Sequence, residues 1–139
     1  MRIDEQLTEE EIQGSMVPNK YEIYKYMLKM KEGECASIYH EKGSYFNCIR
    51  DSWDKPAHTI LQSHGAFSFA GSGIHPAEMR KYTIKELKAI CSFPLDYHVT
   101  GTREQQWERL GRAVPPMLMK ALASCLYKNI LLNLKERAL

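Results

Sequence analysis

The sequence contains no long apolar run, and this absence argues against a membrane-spanning helix, which needs about 20 consecutive apolar residues. The N-terminus is acidic and lacks the basic and apolar regions of a secretory signal peptide. We therefore expect a cytoplasmic protein that has no membrane partner.

Cysteine is scarce and widely spaced. The four cysteines, Cys35, Cys48, Cys91 and Cys125, form neither a paired C-x-x-C metal pattern nor a dense disulfide framework. The histidines are scattered in the same way, without ligand spacing. We expect reduced, mostly buried thiols and no metal site, because a free cysteine behaves as a small apolar residue.

Closely spaced glycines are limited to Gly71 and Gly73, and the chain then continues into His75-Pro76. A dinucleotide-type cofactor turn places its glycines between an apolar strand and a helix. A proline at this point argues against such a unit. The sequence therefore lacks a recognisable cofactor turn of its own.

The composition is that of an ordinary globular domain, with 139 residues, 44% apolar and 26% charged. Charge is divided unevenly along the chain. Residues 1–79 hold 8 Lys and Arg against 12 Asp and Glu, a net charge of −4, whereas residues 80–139 hold 11 against 5, a net charge of +6. A basic region attracts phosphate, but this charge alone does not identify a nucleic-acid partner.

Three capping-box sequences predict helix starts, at Thr8, Thr83 and Thr102, each followed three residues later by Glu or Gln. The first helix should end at Gly14. The second should turn Leu87 and Ile90 inward and end at 92–94. The third should carry Trp107 and Leu110 and meet Gly111.

Two further helices follow from apolar periodicity. One should run from about Lys20 to Lys31 on Ile23, Met27 and Met30, closed by Gly33. A long last helix should start at Pro116, since proline is favoured in a first turn, and reach about Leu134. Its buried stripe should consist of Leu118, Leu122, Cys125, Leu126, Asn129 and Ile130.

Strand-sized pieces occupy the region between the two halves. Residues 36–39 and 45–49 flank a Gly-containing loop and predict a hairpin, and residues 56–61 and 67–69 predict further strands. The expected fold class is α+β, in which short irregular β strands precede a helical C-terminal segment with a long last helix. Residues 1–79 should form one region and residues 80–139 the helical one.

Two motifs then stand in order between Arg80 and Pro116. The first contains Arg80, Thr83, Lys85 and Glu86, followed by Phe93-Pro94-Leu95-Asp96-Tyr97; the second is Gly111-Arg112-Ala113-Val114-Pro115-Pro116. Their order and spacing resemble the C-terminal end of the DNA cytosine-5 methyltransferases, the end of the target-recognition domain plus the last two conserved motifs. Lys85 stands where that family usually has Arg, and Arg112 where it usually has Asn.

The reaction centre of that family is missing. Its nucleophilic cysteine lies in a Pro-Cys-Gln loop, and none of the four cysteines here follows a proline. Its Glu-Asn-Val and Gln-x-Arg-x-Arg motifs are also absent. The resemblance thus implies a fragment or a non-catalytic subunit, inert alone.

The resemblance also implies which residues meet DNA. Thr59-Ile60 matches a Thr-aliphatic pair of the recognition region, and the candidates for base reading are Lys42, Asn47, Arg50, Gln62 and Ser63. Arg80 and Lys85 are further candidate DNA contacts, and they lie in a motif that in the family braces the recognition domain against the catalytic one. We expect a buried ion pair or cap at Arg80 and Glu86 in preference to a DNA contact.

Arg112, Ala113 and Val114 match the turn that in the family lies against S-adenosylmethionine, so the resemblance implies cofactor contact only in complex with a catalytic chain. Three hypotheses remain open. The chain is the smaller subunit of a split enzyme, a remnant that forms a homodimer and binds DNA non-specifically, or a truncated product of a longer methyltransferase.

Overall fold

The computed structural model describes residues 7–62 and 73–137. Its α-helices are α1 (Glu9–Gln13), α2 (Ile23–Met27), α3 (Ile84–Ile90), α4 (Arg103–Arg112), α5 (Pro116–Leu126) and α6 (Leu132–Arg137), with a 3₁₀ helix at Ala36–Tyr39. A π-helical turn, Tyr127–Leu131, joins α5 to α6 without a break. We call this continuous segment, residues 116–137, the C-terminal helix.

All three predicted capping boxes are confirmed. The side chains of Thr8, Thr83 and Thr102 each accept a hydrogen bond from the backbone N–H three residues on. Because a capping box depends on four neighbouring residues, it is readable from sequence. The helix bodies are less well predicted. Helix α2 is shorter than residues 20–31, and α4 continues through Gly111. Leu87 is buried as expected, whereas Ile90 is 38% exposed.

The predicted α+β fold class is wrong. Within residues 7–62 and 73–137 there is no β-strand, and backbone pairing between segments is limited to isolated bridges. These bridges join Met16 to Arg80, Cys35 to Ile49, Arg50 to Ile74, and Ile74 to Lys81. The predicted hairpin is therefore reduced to one antiparallel pair, Cys35 with Ile49.

Local hydrogen bonds explain the missing strands. In the 3₁₀ helix the N–H of Ile38 donates to the carbonyl of Cys35. In the second predicted strand the N–H of Cys48 donates to the carbonyl of Tyr45, which closes a tight turn. Pro56, at the start of the predicted strand 56–61, has no backbone N–H and cannot donate a hydrogen bond to a neighbouring strand. The predicted strand at 67–69 lies outside the described residues.

Two apolar clusters form the core. Val17, Ile23, Met27, Met30, Ala36, Cys48 and Ile74 make up the first, and Tyr82, Leu87, Trp107 and Leu110 the second. Hydrogen bonds cross the predicted division at position 79. The Tyr82 hydroxyl donates to Oδ2 of the buried Asp51 at 2.7 Å. The Lys81 N–H donates to the carbonyl of Ser15 at 2.9 Å. The two-region division itself stays a prediction.

The C-terminal helix lies outside both clusters. Its predicted stripe is exposed in this chain along its whole length from Leu118 to Ile130. None of the helices in the described ranges is long and apolar enough to cross a membrane. Of the thiols, Cys48 and Cys91 are buried, Cys35 is half-buried and Cys125, on this helix, is exposed.

Candidate functional site

A buried ion pair fixes the first motif. Arg80 is only 1% exposed, and its two terminal nitrogens donate to the two carboxylate oxygens of Glu86 at 2.7 and 2.8 Å. Its Nε donates to Glu78 at 2.7 Å. A two-pronged arginine–carboxylate bond of this kind constrains direction as well as distance. The expected buried ion pair is therefore present, and its role in bracing a recognition domain against a catalytic one stays a prediction.

Glu86 also completes the cap of α3. One of its carboxylate oxygens accepts the Thr83 N–H at 2.7 Å. Burial alone would raise the pKa of Glu86, but the hydrogen bonds from Arg80 and from the Thr83 N–H outweigh it, so the pKa is lowered from its usual value. One carboxylate thus connects a helix start to the extended segment before it.

Arg50, predicted to read DNA bases, is buried. Its guanidinium donates to the backbone carbonyls of Met27 at 2.9 Å and Pro76 at 3.2 Å. Burial lowers its pKa from the usual value. These contacts join α2 to the segment that precedes Arg80. Base reading by Arg50 stays a prediction, and its contacts within the chain are structural.

The basic side chains between positions 80 and 112 make contacts within the chain. Between positions 80 and 112, the basic side chains that contact groups of this chain are Arg80, Lys81, Lys85, Lys88, Arg103, Arg109 and Arg112. Lys88, for example, donates to the carbonyl of Tyr97 at 3.1 Å, and Lys85 pairs with Glu11 at 3.1 Å. The basic side chains between 80 and 112 are therefore held by contacts within the chain, whereas Lys120 and Lys128 are exposed on the C-terminal helix.

A second junction unites residues from the two halves. Trp107 donates its indole N–H to the carbonyl of Leu61 at 3.0 Å, and Arg112 Nε donates to the side chain of Gln62 at 2.8 Å. Between them lies Gly111, where a Cβ atom would come within 2.8 Å of the Gln62 backbone nitrogen. Gln62, a predicted DNA contact, thus accepts a hydrogen bond from Arg112, a predicted cofactor contact.

The turn after α4 is open to solvent. Arg112 is exposed and pairs with Glu108 at 3.2 Å, Ala113 is half-buried and extended, and Val114 is exposed. A guanidinium carries five N–H donors, so a carboxylate ligand remains within its capacity. Cofactor contact at this turn stays a prediction.

A tightly bonded loop, residues 40–47, carries the remaining candidates. Lys42 and Asn47 are exposed on it, and Asn47 borders a cleft of about 210 Å³ with His58 and Thr59. The neighbouring Phe46 is 71% exposed. The sequence prediction does not single out Phe46, since it places the residue within a strand; its position beside Asn47 is the available signal. Ser63 lies outside the described residues.

Comparison with known proteins identifies the family. The family model for C-5 cytosine-specific DNA methylases matches residues 2–128, most of the chain. This protein therefore belongs to the C-5 cytosine-specific DNA methylase family. The family transfers its methyl group from S-adenosylmethionine to DNA. No solved structure gives a significant match.

The curated relatives are type II methyltransferases. Type II methyltransferase M.AquIB of Picosynechococcus sp. is 36% identical over 95 residues, which cover 60% of this chain and 65% of that protein. M.DdeI of Desulfomicrobium norvegicum is 36% identical, covering 72% of this chain and 25% of its own length. The putative type II methyltransferase M.MJ0563P of Methanocaldococcus jannaschii is 33% identical, and the match covers 73% of this chain and 31% of that protein. The chain thus spans less than two thirds of each of these relatives.

Proposed function

We propose that this chain is the non-catalytic part of a DNA cytosine-5 methyltransferase. It contributes DNA target recognition through residues 36–62 and closes the cofactor side of the enzyme through the turn at 111–116. The catalytic thiolate comes from a separate chain that carries a Pro-Cys-Gln loop. The observation that carries this proposal is the uncovered C-terminal helix.

That helix has a wide apolar face, and Lys120, Ser124 and Lys128 lie along the opposite side. Leu118, Leu122 and Leu126 are each more than half exposed, at 53%, 51% and 56%, and Met117, beside the polar side, is 61% exposed. An amphipathic helix buries its apolar face against a protein core or a partner. Exposed apolar patches beyond a few hundred Å² are uncommon on soluble monomers. A partner surface that covers this helix accounts for its composition.

The relatives support the same proposal. The 95 matched residues make up 65% of M.AquIB, so a short curated type II methyltransferase chain matches this one. M.DdeI is much longer, because a longer match makes up only 25% of it. The residues of this chain carry the family's C-terminal motifs without its Pro-Cys-Gln loop, so the chemistry needs residues from outside them.

S-adenosylmethionine fits this chain only in part. Arg112 would pair with the cofactor's carboxylate, and the backbone at Ala113 and Val114 would line one edge of its pocket. The cofactor supplies the methyl group, and this chain's residues orient it and exclude water. The other walls belong to the catalytic chain, so we expect no measurable cofactor binding by this chain alone.

The test is reconstitution. A tagged catalytic chain that has Pro-Cys-Gln but lacks the tail from Arg80 to Pro116 is co-expressed with this protein, and the purified product is assayed with labelled S-adenosylmethionine and mixed-sequence duplex DNA. We expect methyl transfer by the pair and none by either chain. A catalytic chain with its Pro-Cys-Gln cysteine changed to serine is the control.

Two results would contradict the proposal. Methyl transfer by this chain alone, lost on mutating one of its four cysteines, would place the nucleophile here. A stable homodimer that captures no catalytic chain would favour the stand-alone remnant. The exposed C-terminal helix also supports this alternative, because a second copy of the chain would cover it.

A further inference from the structure

We propose that the loop 40–47 reads one A·T base pair in the major groove, with Asn47 on the adenine and Phe46 against the thymine methyl group. The inference rests on the proposed role in DNA recognition and names the residues that carry it out. Three observations support it: the rigidity of the loop, the exposure of its tip, and the chemistry of the two side chains.

Hydrogen bonds fix the loop from within. His40 Nδ1 accepts the backbone N–H groups of Lys42 at 3.1 Å and Ser44 at 3.2 Å. The N–H of Gly43 donates to the carbonyl of His40 at 2.9 Å, and Gly43 adopts φ +65°. His40 therefore organises residues 42–44, which reduces the conformational freedom that this part of the loop would lose on binding.

Aromatic contacts hold the loop on α2. The rings of His40 and Tyr45 lie 5.4 and 5.8 Å from that of Tyr26. The hydroxyls of Tyr26 and Tyr45 both donate to the carboxylate of Glu22, at 3.1 and 3.2 Å. The Cys35 thiol donates to the carbonyl of Phe46 at 3.1 Å. The loop is thus supported on two sides, by Glu22 and Tyr26 on one and by Cys35 on the other.

Phe46 and Asn47 occupy the tip. They are the two central residues of the turn closed by the hydrogen bond from the Cys48 N–H to the Tyr45 carbonyl, at 2.9 Å. Phe46 is 71% exposed and belongs to neither apolar cluster. The loop thus presents a large apolar side chain where a ligand can contact it. Asn47 borders the cleft that also contains Thr59, so both predicted recognition elements share one surface.

The two side chains match one base pair. Asparagine makes a two-pronged hydrogen bond to adenine N6 and N7, and phenylalanine packs on the thymine C5-methyl group. The exposed Lys42 is placed to contact phosphate, which positions the loop without reading sequence. The other predicted readers are less available, since Arg50 is buried and Gln62 is bonded to Arg112.

The experiment selects bound duplexes from a randomised DNA library with the full chain, alone and with its catalytic chain. We expect one enriched position to be A·T. At that pair, replacing thymine by uracil removes the methyl group, and replacing adenine by 7-deazaadenine removes N7. Each change should weaken wild-type binding, the second by about tenfold.

Variants assign the readers. Phe46→Ala should bind the thymine and uracil duplexes equally, and Asn47→Ala should not distinguish adenine from 7-deazaadenine. Ile38→Ala and Asn19→Ala are the matched controls, because Ile38 is 67% exposed and Asn19 is exposed, both outside the loop. Since all four side chains are exposed, the urea midpoint should change little in each variant.

The outcomes separate the two proposals. An enriched motif that the Phe46 and Asn47 variants select unchanged would overturn this inference and leave the proposed function standing. Loss of catalytic-chain capture in Phe46→Ala, with base preference retained, would assign the tip to protein contact and also overturn it. Absence of DNA binding by both the chain and the complex would overturn both proposals.

Discussion

Arg112 donates from Nε to the side-chain oxygen of Gln62 at 2.8 Å, across 50 positions of sequence. The bond joins the end of segment 36–62 to the turn at 111–116. A disturbance at one of these predicted contact regions is therefore felt directly at the other.

Breaking the Arg80–Glu86 pair should be strongly destabilising. We expect Arg80→Ala to lower the free energy of unfolding by about 3–5 kcal/mol, because it leaves the buried Glu86 carboxylate uncompensated. Urea denaturation measures the loss. Lys85→Ala is the control, since its pair with Glu11 is about one third exposed on both sides and should contribute at most about 1 kcal/mol. Equal losses in the two variants would contradict a buried brace.

The pair should also weaken in acid. Because the pKa of Glu86 is lowered in the folded chain, its contribution to stability is complete above its unfolded value of 4.5 and disappears as pH falls through the folded value. Urea midpoints between pH 6 and pH 3 should therefore fall less steeply for Glu86→Gln than for wild type. Parallel curves for the two proteins would remove Glu86 as a source of acid sensitivity.

Gly111→Ala should destabilise the chain although it replaces glycine within a helix. The substitution would normally gain about 1 kcal/mol. Here the new Cβ would lie 2.8 Å from the Gln62 nitrogen and 2.9 Å from the Leu61 carbonyl carbon, both backbone atoms that cannot move aside easily. We expect a net loss of about 1–3 kcal/mol by urea denaturation. Gly14→Ala, whose nearest contact would be 3.2 Å, should change little. A stabilised Gly111→Ala would show that segment 36–62 does not pack on α4 as described.

Lys81 should make stability rise with pH in alkaline solution. Burial, together with the nearby positive charge of Arg103, lowers its pKa from 10.5 to about 8, so above pH 8 the folded chain binds fewer protons than the unfolded one. Relative to Lys81→Met, wild type should gain about 2 kcal/mol between pH 8 and 9.5. Comparison with the variant cancels the opposite effect of Tyr82, whose pKa burial raises. A difference that does not change with pH would exclude a buried, destabilised ammonium.

The C-terminal helix should mediate association. Leu122→Asp combined with Leu126→Asp should abolish complex formation with the catalytic chain, because two carboxylates cannot enter an apolar interface without large desolvation. Light scattering and co-purification measure the loss. Lys120→Asp with Ser124→Asp introduces the same residues at the same spacing on the opposite side of the helix and should retain more association. A wild-type monomer that captures no partner would contradict the subunit proposal.

DNA binding by this chain should depend weakly on salt. With the basic side chains between 80 and 112 engaged internally, few phosphates are neutralised, and each contributes a slope of about −0.9 in log affinity against log salt. We expect Lys42→Ala to make this slope less negative by about one. Lys120 is exposed on the C-terminal helix, and Lys120→Ala should leave the slope unchanged. A steep slope that neither variant alters would show that the contacts lie elsewhere.

The sequence is most informative where structure is local. Three capping boxes were predictable because Thr8, Thr83 and Thr102 bond to groups three residues away. The strands were not, because whether Cys35–Ile49 extends into a ladder depends on how each segment satisfies its other N–H groups. The Arg80–Glu86 brace was predictable from the family motif. Arg50 was not, because a sequence does not show whether an arginine reaches a base or the carbonyls of Met27 and Pro76.

The contact of Leu61 and Gln62 with Trp107 and Gly111 has a practical consequence for engineering. A chimera that takes residues 36–62 from a relative and keeps α4 from this chain would pair a foreign segment with the α4 surface at Trp107 and Gly111. A different backbone path at Leu61 and Gln62 would displace the carbonyl that accepts the Trp107 indole N–H and would change the backbone atoms that lie against Gly111. Transfers of target preference between family members should therefore move the segment and helix α4 as one module, with the cut placed after Arg112.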